Sequence, residues 1–133
     1  MCIFAVEKIE QVRDNGKIHF YKLFKDKRCF FDDFVNDIRG NSNDYKSFVS
    51  LVAIMDFMAE NDSKMPSKKF NSIKKGKNVI GYEFKKDDLR VYCVKKEPNM
   101  IVVLGGYKKN QKKDIDKFNR LIIDAQIFLD ELL

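Results

Sequence analysis

Between Val79 and Tyr107 three short apolar runs follow one another with two tight turn signals between them: "VIGYEFKK", "LRVYCVKK" and "MIVVLGGY". Links this short cannot hold the crossover that parallel neighbours require, so the segment must form an antiparallel meander. Strands are expected at about 79–86, 89–96 and 100–107. Centring the first turn on Asp87-Asp88 pairs Lys86 with Leu89, Lys85 with Arg90, Phe84 with Val91, Glu83 with Tyr92 and Tyr82 with Cys93. Paired residues share a face, so Tyr82, Phe84, Val91 and Cys93 form a core side. Glu83, Lys85, Arg90 and Tyr92 form a polar side. Centring the second turn on Pro98-Asn99 pairs Cys93 with Leu104 and Arg90 with Tyr107. Lys85, Arg90, Tyr92 and Tyr107 should then gather on one open face, next to Lys108 and Lys109.

The rest of the chain supplies elements to cover the other side of that meander. "CIFAVEKI" and "KIHFYKLF" flank "RDNG", and Asn15-Gly16 is a strong hairpin signal. In "FFDDFVNDIRG" the residues Phe30, Phe31, Phe34, Val35 and Ile38 recur at helical spacing, and Gly40 is placed to stop the helix. A longer helix follows Asn43, with Phe48, Leu51, Val52, Met55, Met58 and Ala59 in one stripe. "DSKMPSKKFNSIKKGKN" reads as a polar loop. From Asp114 a last helix runs to the end, burying Ile115, Phe118, Leu121, Ile122, Ala125 and Leu129. The expected fold is α+β: a small, twisted, mostly antiparallel sheet with helices packed on one face. The 133 residues are expected to form a single domain, 1–133.

No apolar run approaches the length that spans a bilayer, and "MCIFAVEKIE" lacks the layout of a signal peptide. Cys2, Cys29 and Cys93 are odd in number and irregular in spacing, which suggests reduced thiols in a cytoplasm. One histidine, His19, leaves little to build a metal site, and it reads as structural. "SIKKGKN" is not a phosphate-binding P-loop, because the GxxxxGK[ST] pattern is absent. A soluble cytoplasmic protein with neither a metal nor an organic cofactor is expected.

Charge is concentrated in one segment. Residues 64–113 carry 15 Lys/Arg against 4 acids, or +11, whereas residues 1–63 sum to −2 and residues 114–133 to −3. A field of one sign attracts polyanions by releasing counterions from phosphates. With Arg and Tyr interleaved, nucleic acid is the indicated partner, and a merely solubilising lysine face is the alternative. A face of Arg, Lys and Tyr without a His or an acid pair is poor equipment for peptide or glycoside hydrolysis, but it suits a phosphodiester. Arg90 would hold the phosphate, Lys85, Lys108 or Lys109 would move a proton, and Tyr107 would assist at a leaving oxygen. Lys74, Lys75, Lys77, Tyr92, Gln111, Lys112 and Lys113 would contact the rest of the RNA by charge, hydrogen bonding and stacking. A phosphate-binding face that never cleaves remains the alternative.

The order strand, two helices, meander and terminal helix resembles the RelE/ParE toxin superfamily, and among its members the HigB-like, phage-related toxins. The likeness covers roughly Lys17 to the C-terminus, which makes about 1–16 an extra N-terminal segment, and rests on "GYEFKKDDLRVYCV" and "VVLGGYKKNQKKDI". It implies a toxin of a type II toxin–antitoxin system: a ribosome-dependent mRNA endonuclease (mRNA interferase) that inhibits translation. A cognate antitoxin of helix-turn-helix type would neutralise it. The resemblance makes Arg90 the phosphate-binding arginine and places Lys85, Lys108 and Lys109 at basic positions of the cleavage site. Tyr107 stands where the closing motif usually has Phe, and no Pro precedes the last helix. Some superfamily members inhibit DNA gyrase instead, and a basic binding module without activity is a further alternative.

Overall fold

A computed structural model of the protein describes residues 2–13, 16–61, 68–74, 77–96 and 98–132, with residues 68–74 and 77–80 described by their backbone. The elements are β1 (Phe4–Lys8), β2 (His19–Lys25), α1 (Phe30–Ile38), α2 (Ser42–Asn61), β3 (Lys68–Lys74), β4 (Lys77–Lys86), β5 (Leu89–Lys96) and β6 (Asn99–Tyr107). A 3-10 turn (Lys108–Asn110) then leads into α3 (Gln111–Asp124) and α4 (Gln126–Glu131). All six strands form one sheet in the order β1-β2-β6-β5-β4-β3. Every neighbouring pair is antiparallel except β2 and β6, which run parallel. The chain passes from β2 to β6 through α1, α2, β3, β4 and β5, a connection long enough for a parallel pair. The α+β class and the mostly antiparallel sheet agree with the sequence reading.

Three expectations about the elements change, and a fourth about register. The segment read as a polar loop contains β3, which pairs with β4 from Lys68↔Glu83 to Lys74↔Lys77. Its lysines hid it: an edge strand is bonded on one side only, and charge there discourages pairing with other chains. Second, the helices do not share one face. Phe31, Phe34, Val35, Phe48, Leu51 and Met55 of α1 and α2 pack on Phe84, Val91, Cys93 and Val102. Phe118, Leu121 and Ile122 of α3, with Leu129 of α4, pack on Tyr92, Val94, Ile101, Val103 and Leu104 on the opposite face. Third, the final helix begins at Gln111, not Asp114, and breaks at Ala125.

The first turn of the meander has the expected register, with all five pairs from Lys86↔Leu89 to Tyr82↔Cys93. The second does not. Lys96 pairs with Asn99 and Cys93 with Val102, but Tyr92 pairs with Leu104, leaving Val103 as an extra residue. One residue added to one strand moves everything beyond it to the other face. Arg90 therefore pairs with Gly106, and Tyr107 with Leu89. Tyr107 lies on the α1–α2 side and Arg90 on the α3 side, so the expected Arg90–Tyr107 pair does not form. At the N-terminus β1 and β2 are antiparallel as expected, from Phe4↔Lys25 to Lys8↔Tyr21. Of their connection, Asp14 and Asn15 lie outside the described residues, while Ile9, Val12 and Ile18 are buried.

Candidate nucleic-acid interface

The end of the sheet at the β4–β5 turn gathers Lys85, Lys108 and Lys109 among the cations that sequence reasoning singled out. Asp87 takes a left-handed backbone conformation there (φ 53°). Ser47 of α2 donates to its carboxylate at 2.5 Å. The Lys108 backbone N–H donates to the Asp88 carbonyl at 2.7 Å, which fixes the end of β6 against the same turn. Asp44, Asp88, Tyr107, Lys108 and Lys109 line a cleft of about 510 Å³. An adjoining groove of about 490 Å³ shares Lys108 and Lys109 and adds Gln111, Lys112, Ile115 and Asp116. Lys85 and Lys86 are exposed at the end of β4, and Lys112 and Lys113 are exposed in the first turn of α3. Two lysines at a helix N-terminus oppose its dipole, so local helix stability does not account for them.

Tyr107 is held edge-on to the Phe34 ring at 5.7 Å. Burial raises its hydroxyl above the usual tyrosine range, with further contributions from the Asp44 and Asp37 charges and a hydrogen bond to Asp44. Tyr107, Lys108 and Lys109 thus share one cleft with two carboxylates.

The remaining candidates are placed otherwise. Arg90 is 6% exposed, and its Nη1 donates to the carbonyls of Asp87 and Leu89, both at 2.8 Å. Its Nε is buried without an acceptor among the described residues. A guanidinium so enclosed braces the turn and does not present a fork to a phosphate. Tyr92 is fully buried beneath α3, with its ring 6.5 Å from that of Phe118, so it is no stacking platform for a base. Burial pushes its hydroxyl well up, helped by the charges of Glu83 and Asp114. Gln111 donates to the carboxylate of buried Glu83 at 2.5 Å and so ties α3 to β4. Lys74 and Lys77 pair across the far end of the ten-residue β4, about 30 Å of strand from Lys86. Lys75 lies outside the described residues. The block of positive charge in the sequence is therefore divided between two ends of the sheet.

Sequence reasoning overlooked the acids. Asp88 belonged to the predicted Asp87-Asp88 turn and could have been considered, but nothing in the sequence tied Asp44 of α2 to Tyr107. A third cavity, about 310 Å³ between α1 and α3, is lined by Asp33, Asp37, Asp114, Arg28 and Lys117 among others. Among the described residues no group of three His, Cys, Asp or Glu could hold a metal ion, and no helix is long and apolar enough to cross a membrane. No family model matches the chain, and neither a curated protein nor a solved structure matches it.

Proposed function

We propose that this protein binds RNA at the lysine-lined end of its sheet and cuts it there, as the mRNA-cleaving toxin of a type II toxin–antitoxin system working on the ribosome. The observation that carries the reading is the single cleft shared by Tyr107, Lys108, Lys109 and the carboxylates Asp44 and Asp88. In-line cleavage joins the RNA 2′-oxygen to phosphorus, breaks the bond to the 5′-oxygen and leaves a cyclic phosphate and a 5′-hydroxyl. The 2′ proton needs an acceptor. Asp44 is bound to Tyr107, so this reading gives the role to Asp88, the other carboxylate of the cleft. Lys108 and Lys109 neutralise the charge that builds on the phosphate, and one of them protonates the leaving oxygen. Lys85, Lys86, Lys112 and Lys113 hold neighbouring phosphates. A cognate antitoxin, of helix-turn-helix type by the sequence resemblance, would cover this rim with acidic residues.

The burial of Arg90 favours a second reading, in which the rim binds phosphates and cleaves nothing. A translating extract separates the two. Wild-type protein should cut mRNA, and Lys108→Ala/Lys109→Ala should abolish cutting while still binding ribosomes. Neutralising Lys112 and Lys113 should flatten the salt dependence of binding by roughly one unit of slope for each phosphate no longer neutralised. Intact mRNA with salt-sensitive ribosome binding would establish the non-cleaving binder. Intact mRNA with blocked gyrase supercoiling would move the target to DNA gyrase.

A further inference from the structure

The second helix has more apolar surface than its own fold covers. Its inner side buries Phe48, Leu51, Met55, Met58 and Ala59. Its outer side carries Tyr45 (41% exposed), Val49 (52%) and Phe57 (46%). With exposed Ala53 these residues recur at every fourth position, a continuous row along a helix surface. An apolar row outside the buried side of a helix marks a surface that another molecule can cover. Three of the six large apolar side chains exposed among the described residues lie on this one row.

We infer that α2 packs against α2 of a second copy of this chain, antiparallel, in a two-fold dimer. Charge selects the occupant. The exposed cation Lys46 lies near the N-terminal end of the row, and the acids Asp56 and Glu60 lie near its C-terminal end. Reversing one helix about Leu51 brings Tyr45 of one copy level with Phe57 of the other and Val49 level with Ala53. It also brings Lys46 level with Asp56. Each charge pairing is made twice, as a self-complementary interface requires. A parallel arrangement would set Lys46 against Lys46 and Glu60 against Glu60. The acidic end is already fixed in place: Asp56 accepts the Arg13 backbone N–H at 2.7 Å, and Glu60 lies 3.7 Å from the Arg13 guanidinium.

Sedimentation equilibrium of the full chain tests the inference without reference to any activity. Wild type should have twice the 15.7 kDa chain mass, and Val49→Glu/Phe57→Glu should have the single mass with an unchanged circular dichroism spectrum. Both positions are exposed, so the fold should survive the substitutions. Lys46→Glu should weaken the dimer about threefold at low salt. The control is Ile127→Glu, on the exposed side of α4, which should leave the dimer intact. A monomeric wild type, or a dimer broken by Ile127→Glu and not by Val49→Glu/Phe57→Glu, would overturn the inference.

Discussion

Gly105 and Gly106 are adjacent, yet each is required by a different side of the sheet. A methyl group on Gly105 would run into the Phe34 ring, and one on Gly106 would meet the Asp114 carboxylate. The ring is locked in the core, whereas the carboxylate ends a short side chain that can turn aside. Gly105→Ala should therefore cost about 1–3 kcal/mol in urea unfolding and Gly106→Ala less. Equal losses would mean that the Phe34 ring yields as easily as the carboxylate. Asp114 makes a separate prediction. Its Oδ2 is buried without a hydrogen-bond partner among the described residues, and burial raises its carboxyl above the usual range against the pull of Lys117 and Lys113. A raised acid holds more protons in the folded state than in the unfolded state, so stability falls as pH rises from its unfolded value through its folded one. Asp114→Asn should match wild type at pH 3 and gain on it by pH 7. A variant that instead loses ground as the pH rises would show that the charged form is the one the fold favours.

At the scale of elements, α3 rests on the sheet through an apolar contact and one polar fastening. Phe118, Leu121 and Ile122 supply the first, and the Gln111–Glu83 hydrogen bond supplies the second. Glu83 is 2% exposed, so Gln111→Ala would strand a buried carboxylate without this donor. A loss of about 1–3 kcal/mol is expected in chemical denaturation. The same reasoning applies to Arg90, whose two hydrogen bonds to carbonyls hold the β4–β5 turn. Arg90→Ala should destabilise by a similar amount and should not behave as a neutral surface change. A phenotype for Arg90→Ala in cells must therefore be compared with its effect on stability before it is assigned to RNA. Unfolding of Arg90→Ala within about 0.5 kcal/mol of wild type would return the residue to the surface.

Across the whole molecule, β6 is the strand on which both cores depend. It pairs with β2 on one side and β5 on the other, and residues 100–104 are buried on both faces. Ile101→Ala should cost about 2–5 kcal/mol by thermal or urea unfolding. Hydrogen exchange should find its slowest amides in β6 and the facing part of β5, with β1 exchanging early. If β1 proved as protected as β6, stability would not be graded from the centre of the sheet outward. The two free thiols of the core fit the same plan. Burial pushes Cys29 up to about 11 and raises Cys93 well above the usual thiol range, so exposed Cys2 should be the one an alkylating reagent finds.

The sequence by itself determined what depends on neighbours along the chain. The meander, the Asp87-Asp88 turn and its five pairs, the buried stripes of α1 and α2, and the α+β class all follow from periodicity and turn residues within about ten positions of each other. Only the tertiary structure decided the rest, because the deciding partners are remote in sequence. The extra residue at Val103 is one apolar residue in an apolar run, indistinguishable in the sequence, and it sends Tyr107 to the face opposite Arg90. The edge strand β3 depends on pairing with β4, not on its own composition. The face read as open is closed by α3, since a strand written Glu-x-Lys and Arg-x-Tyr looks solvent-facing until Phe118 and Gln111 are laid across it. The lysines kept their place at the end of the sheet because charge that has no core to enter stays where the chain turns.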